Sequence, residues 1–157
     1  MRHPSLDRFQ THAACWSPIP LRLIVGYGFI AHGYAKLARG PEHFAAILGA
    51  IGMPFAAELS WLTVIVEILG GLMVLVGIGV EIAALPMAFV LLVAIVTVHL
   101  PNGFSSIKLQ AFDASGAHFG QPGYETDLLY LAGLAALVLA GAGPLSLDRL
   151  LSRRRSA

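Results

Sequence analysis

Leu59–Val80, which reads LSWLTVIVEILGGLMVLVGIGV, is the stretch that decides the fold. Roughly 20 apolar residues that rise about 1.5 Å each cross the ~30 Å hydrocarbon core of a bilayer, so the stretch predicts a membrane-spanning helix. Its one charged residue, Glu67, lies about 13 Å along the helix from Glu58, near the midplane. An ionised carboxylate there costs on the order of 3 kcal/mol. We therefore expect Glu67 to face the protein interior with a partner, or to be protonated.

Gly70 and Gly71 follow Glu67 at i+3 and i+4, on the same helix face. Residues without side chains allow a neighbouring backbone to approach closely beside the carboxyl group. Two interpretations of Glu67 remain open at this point. It is either a neutral acid hydrogen-bonded to a neighbouring helix, or a group that handles protons or binds a ligand.

The composition is that of an integral membrane protein with one domain. Of the 157 residues, 57% are hydrophobic and only 12% are charged, against about 25% charged in soluble domains. The mean hydropathy is +0.75. No basic stripe with interleaved aromatic residues indicates nucleic-acid binding. The single cysteine, Cys15, excludes an internal disulfide and a dithiol redox motif within this chain.

The apolar pattern predicts an all-α membrane protein, a four-helix bundle. The predicted spans are Ile19–Leu37, Leu59–Val80, Ile82–Leu100 and Leu128–Gly143. Between the first two spans, apolar residues at helical spacing predict a short helix over Phe44–Ile51, too short to cross and therefore expected at the membrane interface. Residues 1–17 are predicted to be a cytoplasmic arm, 18–148 the membrane domain and 149–157 a basic cytoplasmic tail. Pro101–Tyr124 is the longest polar segment.

Basic residues predict the orientation. They are concentrated before the first span and after the fourth, which by the positive-inside rule places both termini in the cytoplasm. Arg22, near the start of the first span, is expected to extend its side chain to the lipid headgroups. The short helix and the long loop then lie on the outer side. The inner half of the bundle is expected to be nearly without polar features.

In this topology the polar residues of the spans lie close together at the outer end, and Glu67 lies deepest in the membrane. Glu67, His32 and His99 are the candidates for proton handling and catalysis, because carboxylate and imidazole groups exchange protons near neutral pH. The candidate ligand-binding residues are Lys36, Asn102, Tyr34, Glu125 and Asp127.

A cluster of this composition suits a ligand with a polar headgroup and an apolar tail, as a quinone has. The competing interpretation gives each residue an ordinary interfacial role, in which His99 and Asn102 cap helix ends, Lys36 extends to the surface, and the acidic residues Glu125 and Asp127 complement a helix dipole. Haem ligation by His32 and His99 lacks a supporting pattern, and no spacing indicates a metal site. We expect neither haem nor metal.

The chain resembles the DoxX family of small bacterial membrane proteins. The resemblance runs from about Leu21 to Asp148, and its motifs keep their order and spacing. They are His32–Leu37, the segment from Phe44 to Pro54, Glu67–Gly71, His99–Phe104, Gly123–Glu125 and Gly143–Asp148. The resemblance implies a four-helix membrane bundle. It also implies a link to redox systems, since relatives include subunits of a thiosulfate:quinone oxidoreductase and membrane partners of a superoxide dismutase and a sulfurtransferase.

Our leading hypothesis is a bacterial inner-membrane subunit of a redox system that binds a quinone-like molecule at the outer end, with electrons supplied by a partner or a substrate. The alternative is a non-enzymatic adaptor whose loops dock a soluble or membrane redox partner while Glu67 only holds the bundle together. A small carrier or lipid-binding protein is disfavoured, because no inverted repeat is evident. Contact with the lipid bilayer is expected, and a homo-oligomer is compatible with the sequence.

Overall fold

The computed structural model describes residues 13–155, without the side chain of Arg155, so parts of the predicted arm and tail lie outside the described residues. The chain is mainly helical. Its helices are α1 Pro18–Arg39, α2 Pro41–Ala50, α3 Ala56–Val76, α4 Val80–Ala94, α5 Glu125–Ala140 and α6 Leu147–Arg155. Helix α4 continues through a π-helical turn, Ile95–His99, and a 3₁₀ turn, Leu100–Asn102. A hairpin of strands β1 Leu109–Asp113 and β2 Gly116–Phe119 precedes α5.

The four long helices pack side by side in a closed ring: α1 packs against α3 and α5, and α4 packs against the same two helices. Their shared core consists of small and medium apolar side chains, among them Val25, Phe29, Val74, Met87 and Leu137. The helices alternate in direction, so α1 and the extended α4 end where α3 and α5 begin. We call that end of the bundle the Lys36 end, and the opposite end, which carries both ends of the described chain, the Arg22 end.

Large apolar side chains cover the outside of the ring, where a soluble protein would carry polar groups. On α4, for example, Ile82, Leu85 and Phe89 are all exposed. Two helices, Ala56–Val76 and the extended helix Val80–Asn102, are long and apolar enough to cross a membrane. These exposed apolar faces are suited to lipid contact. That α1 and α5 also cross the membrane, as the four-span interpretation requires, stays a prediction.

Helices α1 and α3 cross at very short range because glycines face each other. A Cβ atom on Gly26 would lie 2.8 Å from the carbonyl oxygen of Gly71, and one on Gly71 would lie 2.8 Å from that of Gly26. Gly70 makes room for a side chain instead, that of Met87 on α4. The two adjacent glycines of α3 therefore serve two different neighbours. The sequence predicted the close backbone approach but not this division.

The predicted short helix between the first two spans is present as α2, whose ten residues are too few to cross a bilayer. The prediction of an all-α protein needs a correction, since the long polar segment contains the β1–β2 hairpin. The tail also differs from a simple basic extension, because α6 is a helix that begins at Leu147.

Arg22 does not extend to the headgroups, and that prediction was wrong. The residue is only 5% exposed. Its Nε donates to the carbonyl oxygen of Val74 at 3.1 Å, and its Nη2 donates to that of Leu75 at 2.8 Å. Its Nη1 donates to the carbonyl oxygens of Ala142 at 2.8 Å and Leu145 at 3.2 Å.

The carbonyls that Arg22 binds lie where regular helix hydrogen bonding stops, at the end of α3 and in the segment after α5. The carbonyl oxygen of Val74 also accepts the N–H of Gly77 at 3.2 Å. One guanidinium group thereby ties three parts of the chain together at the Arg22 end. The half of the bundle at the Arg22 end, predicted to be the inner half, is consequently not without polar features, and that expectation was wrong.

Candidate functional site

Glu67 has a partner, as its position near the middle of an apolar helix requires. Lys36 Nζ donates to both carboxylate oxygens of Glu67, at 2.8 Å to Oε1 and 2.7 Å to Oε2. The Glu67 side chain is 7% exposed and that of Lys36 is 22% exposed. Gly33, one turn before Lys36, allows α1 to lie directly against the Cβ of Glu67. The pair joins α1 to α3, so the cost of burying each charge is offset by the other.

Helix α2 forms the cover of this ion pair. The ammonium group of Lys36 lies 5.1 Å from the centre of the Phe44 ring, in a cation–π contact. Helix α2 is fixed to the start of α3 because the buried hydroxyl of Ser60 donates to the carbonyl oxygen of Pro41 at 2.6 Å. Neither Phe44 nor Ser60 was among the candidate site residues predicted from the sequence. Only the helical spacing of the apolar residues in α2 indicated which face of that helix is covered.

A second pair joins α4 to α5 at the same end. His99 Nδ1 is hydrogen-bonded to Asp127 Oδ2, with the side chains 26% and 10% exposed. With Asp127 ionised, Nδ1 carries the proton and Nε2 is left to accept one, which is how a carboxylate fixes a histidine tautomer. His99 closes the π-helical turn Ile95–His99, and such turns often occur at functional sites because the extra residue changes where side chains point.

Asn102 and Glu125 attach the loop between the extended α4 and α5 to the ends of these helices. The Asn102 amide donates to the carbonyl oxygens of Val98 and Pro122, both at 3.3 Å. Glu125 Oε2 accepts the backbone N–H of Ser106 at 3.0 Å. These two candidate ligand-binding residues therefore already have structural hydrogen bonds, and both lie near the His99–Asp127 pair along the chain.

The His32 side chain contacts α5, whereas that of Lys36, four residues later in α1, contacts α3. Its ring contacts that of Tyr130 on α5, with centroids 6.4 Å apart in an edge-to-face arrangement. Tyr130 also meets Phe29 edge to face at 5.6 Å. Gly28 leaves the space that the Tyr130 hydroxyl occupies. Tyr34 is exposed on the outside of α1. Tyr130 was not among the candidate site residues predicted from the sequence.

The structure thus divides the predicted cluster into three groups at one end of the bundle. Lys36 and Glu67 form one pair and His99 and Asp127 another, while His32 contacts Tyr130. Within residues 13–155, no group of three or more histidine, cysteine, aspartate or glutamate side chains is placed to hold a metal ion. The chemistry that this arrangement offers is proton exchange and charge pairing next to apolar surface.

The hairpin is the most exposed part of the Lys36 end. Asp113, at its turn, accepts hydrogen bonds from the side chain and the backbone N–H of Ser115, and its Oδ2 lies 3.0 Å from His118 Nε2. These bonds, those of Ser115 first, lower the pKa of Asp113. Large apolar side chains stand on the same hairpin, and Phe112 is 78% exposed.

The DoxX family profile matches residues 17–100 of this chain, more than half of its length. The chain belongs to the DoxX family. The matched region contains α1, α2, α3 and α4, and so includes the Lys36–Glu67 pair, Phe44 and His99. The resemblance drawn from the sequence is thereby confirmed, and with it the assignment of this DoxX chain as a membrane protein.

Two curated relatives cover most of this DoxX protein. The chain is 35% identical over 145 residues to "Uncharacterized membrane protein Rv3486" of Mycobacterium tuberculosis, which covers 90% of this chain and 85% of the relative. It is 31% identical over 128 residues to "Putative oxidoreductase CatD" of Bacillus subtilis, covering 82% of this chain and 81% of the relative. No solved structure matches the chain.

Proposed function

We propose that this DoxX protein is the membrane subunit of a redox system and that it binds a quinone-like molecule at the Lys36 end. The observation that carries the proposal is the Lys36–Glu67 pair: a carboxylate halfway along an apolar helix, held by an ammonium group that is itself partly exposed. Purely structural intramembrane ion pairs are uncommon, and ionisable residues in such positions usually serve transport, catalysis or ligand binding.

In the proposed reaction, electrons come from a partner protein or directly from a reduced substrate, and the quinone takes up protons along with them. Glu67 supplies or accepts the proton, because its carboxylate can cycle between protonation states while Lys36 holds it in place. His99, with its tautomer fixed by Asp127, accepts a proton at Nε2 and, once protonated there, donates a hydrogen bond to a headgroup oxygen. His32 and Tyr34 offer further polar contacts, and Asn102 and Glu125 shape the entrance.

One of the two relatives supports a redox role in general terms. The name of the Bacillus subtilis relative describes an oxidoreductase, and the alignment covers more than four fifths of both chains. The proposal includes four membrane spans, with α1 and α5 crossing beside α3 and α4. It places the protein in a bacterial inner membrane with both termini cytoplasmic and the Lys36 end outside, on the basis of the arginines near the two chain ends.

A second candidate is the non-enzymatic adaptor, which the hairpin favours. Exposed Leu109, Phe112 and Phe119 offer an apolar surface beyond the helices, suited to a redox partner protein. In this case the Lys36–Glu67 pair would only hold α1 to α3. The two candidates differ in one measurable property, since an adaptor has no need of a bound quinone.

The test compares Glu67→Gln with the wild-type protein. The amide keeps the shape of the side chain but cannot change protonation state near neutral pH. We expect a monodisperse protein in detergent whose quinone reduction in membrane vesicles falls at least about 100-fold, the usual loss when a general acid–base group is removed. Quinone bound to the purified wild-type protein is measured by mass spectrometry.

Glu58→Gln is the matched control, because Glu58 lies exposed in the first turn of the same helix. That variant should reduce quinone at the wild-type rate. A folded Glu67→Gln protein with full turnover and normal quinone content would contradict proton handling by Glu67. Wild-type protein that neither carries nor binds quinone would establish the adaptor instead.

A further inference from the structure

A basic cavity lies at the Arg22 end, opposite the proposed quinone site. Its volume is about 540 Å³, within the ~300–1,000 Å³ that small-molecule sites typically occupy. Three arginines line it: Arg22, Arg149 and Arg153. Apolar side chains from the end of α3 and the start of α6 form the remaining wall, among them Leu75 and Leu150.

The cavity carries positive charge without compensation. None of the described side chains that line it is acidic. Arg22 already donates to four main-chain carbonyls, so it supplies fixed charge at the floor and little further hydrogen bonding. Arg149 and Arg153 are exposed, and neither guanidinium group has a hydrogen-bonding partner within the part of the chain that the structure describes. Their donors remain available for an anion.

The two available arginines are held in place by the start of α6. Asp148 Oδ2 accepts the backbone N–H of Gly79 at 2.8 Å, and the N–H of Asp148 donates to the carbonyl oxygen of Gly77 at 3.2 Å. These bonds attach the start of α6 to the turn between α3 and α4. Because Arg149 and Arg153 are four residues apart, they lie on one face of α6, the face toward the cavity.

We propose that this cavity binds the phosphate headgroup of an anionic phospholipid. Guanidinium groups recognise phosphate oxygens in paired hydrogen bonds. Basic pockets at the ends of membrane helices are typical headgroup sites. The apolar wall, with Leu75, Val76 and Leu150, is continuous with the apolar outside of α3, along which acyl chains can lie. A free phosphate ester would use the arginines but not this wall. The site is independent of the quinone proposal.

The experiment uses the full-length protein in detergent after removal of bound lipid. Short-chain phosphatidylglycerol is titrated and its binding followed by native mass spectrometry, with short-chain phosphatidylcholine and glycerol 3-phosphate as comparison ligands. We expect the wild-type protein to bind phosphatidylglycerol well above both. Arg153→Gln should weaken that binding roughly tenfold, since a charged hydrogen bond to phosphate is lost.

Arg154→Gln is the matched control, with the same change of charge at the neighbouring position of α6, outside the cavity lining. It should alter binding by less than about twofold, because a solvated charge contributes little. Arg149→Gln gives a second variant in the cavity, and the thermal midpoint of each variant reports folding.

Three results would overturn the proposal. Equal losses in Arg153→Gln and Arg154→Gln would show general electrostatic attraction. Equal binding of phosphatidylcholine would show that charge does not matter. Equal binding of glycerol 3-phosphate would show a site for free phosphate esters, without a role for the acyl chains.

Discussion

The two ends of the bundle bury charge in different ways. At the Lys36 end, titratable side chains pair with one another, Lys36 with Glu67 and His99 with Asp127. At the Arg22 end, one guanidinium group binds only main-chain carbonyls. Carboxylates and imidazoles can take up and release protons, whereas a guanidinium in a protein stays charged. The Lys36 end therefore has the groups for chemistry, and the Arg22 end has an anchor.

The largest effect on stability is expected at the anchor. Arg22→Leu removes the guanidinium donor from four carbonyls at the Arg22 end, of which that of Val74 keeps the N–H of Gly77, and we expect the free energy of unfolding to fall by about 3 kcal/mol or more. Arg22→Lys should recover only part of this loss, because an ammonium group lacks the planar fork of donors. Unfolding in denaturing detergent measures both variants.

Arg39→Gln is the control for the Arg22 variants, since Arg39 lies exposed at the other end of the same helix. Its stability should match that of the wild-type protein. If Arg22→Leu were as stable as the wild-type protein, Arg22 would not be a structural anchor, and the proposed difference between the two ends would be contradicted.

An intermediate effect is expected for the Lys36–Glu67 pair. Lys36→Met leaves a buried carboxylate unpaired and should cost about 1–3 kcal/mol, less than for a fully buried pair because Lys36 is partly exposed. Combining it with Glu67→Leu replaces both charges by apolar groups, and stability should return to within about 1 kcal/mol of the wild type.

The same double variant should have no quinone reduction, which separates stability from chemistry at this end. If its stability stayed as low as that of Lys36→Met, packing around the pair, and not the unpaired charge, would be the cause. Thermal midpoints and vesicle turnover, measured on the two single variants and the double variant, decide between these outcomes.

The smallest effect on stability is expected for Asp127→Asn. The amide can still hydrogen-bond to His99, so the loss should be about 0.5–1.5 kcal/mol. Quinone affinity and its pH dependence should change more, because the carboxylate no longer fixes the tautomer of His99. Glu81→Gln, an exposed change in the first turn of α4, serves as the control. A pH profile identical to that of the wild type would remove His99 from the proposed site.

Local sequence patterns predicted the main features of the fold, because they depend on residues close together in the chain. The apolar periods located α1, α2, α3, α4 and α5 to within a few residues, apart from the π-helical turn at the end of α4. The need of Glu67 for a partner also followed from its position alone. Which residue fills that role did not, because Lys36 is 31 residues away and meets Glu67 only through the register that Gly26, Gly33 and Gly71 set between α1 and α3.

The errors have a common physical origin in contacts between distant segments. Arg22 near a helix start ordinarily extends toward lipid headgroups, but here the segment after α5 folds back and offers it carbonyls. The hairpin does have a local sequence signal, which was not used to predict it. Asp113 and Gly116 enclose a two-residue turn between short strands, and Gly116 has a positive φ of 116° that suits glycine.

The crossing of α1 and α3 has a consequence for charge movement. Gly26 and Gly71 bring the two backbones too close for a file of water molecules between them. One turn beyond Glu67, the fully buried Met87 fills the space beside Gly70, and Leu134 and Leu137 continue the apolar core. A proton that reaches Glu67 from the Lys36 end must therefore leave by the same end. In the proposed reaction, proton exchange at Glu67 would therefore carry no proton through the bundle to the Arg22 end.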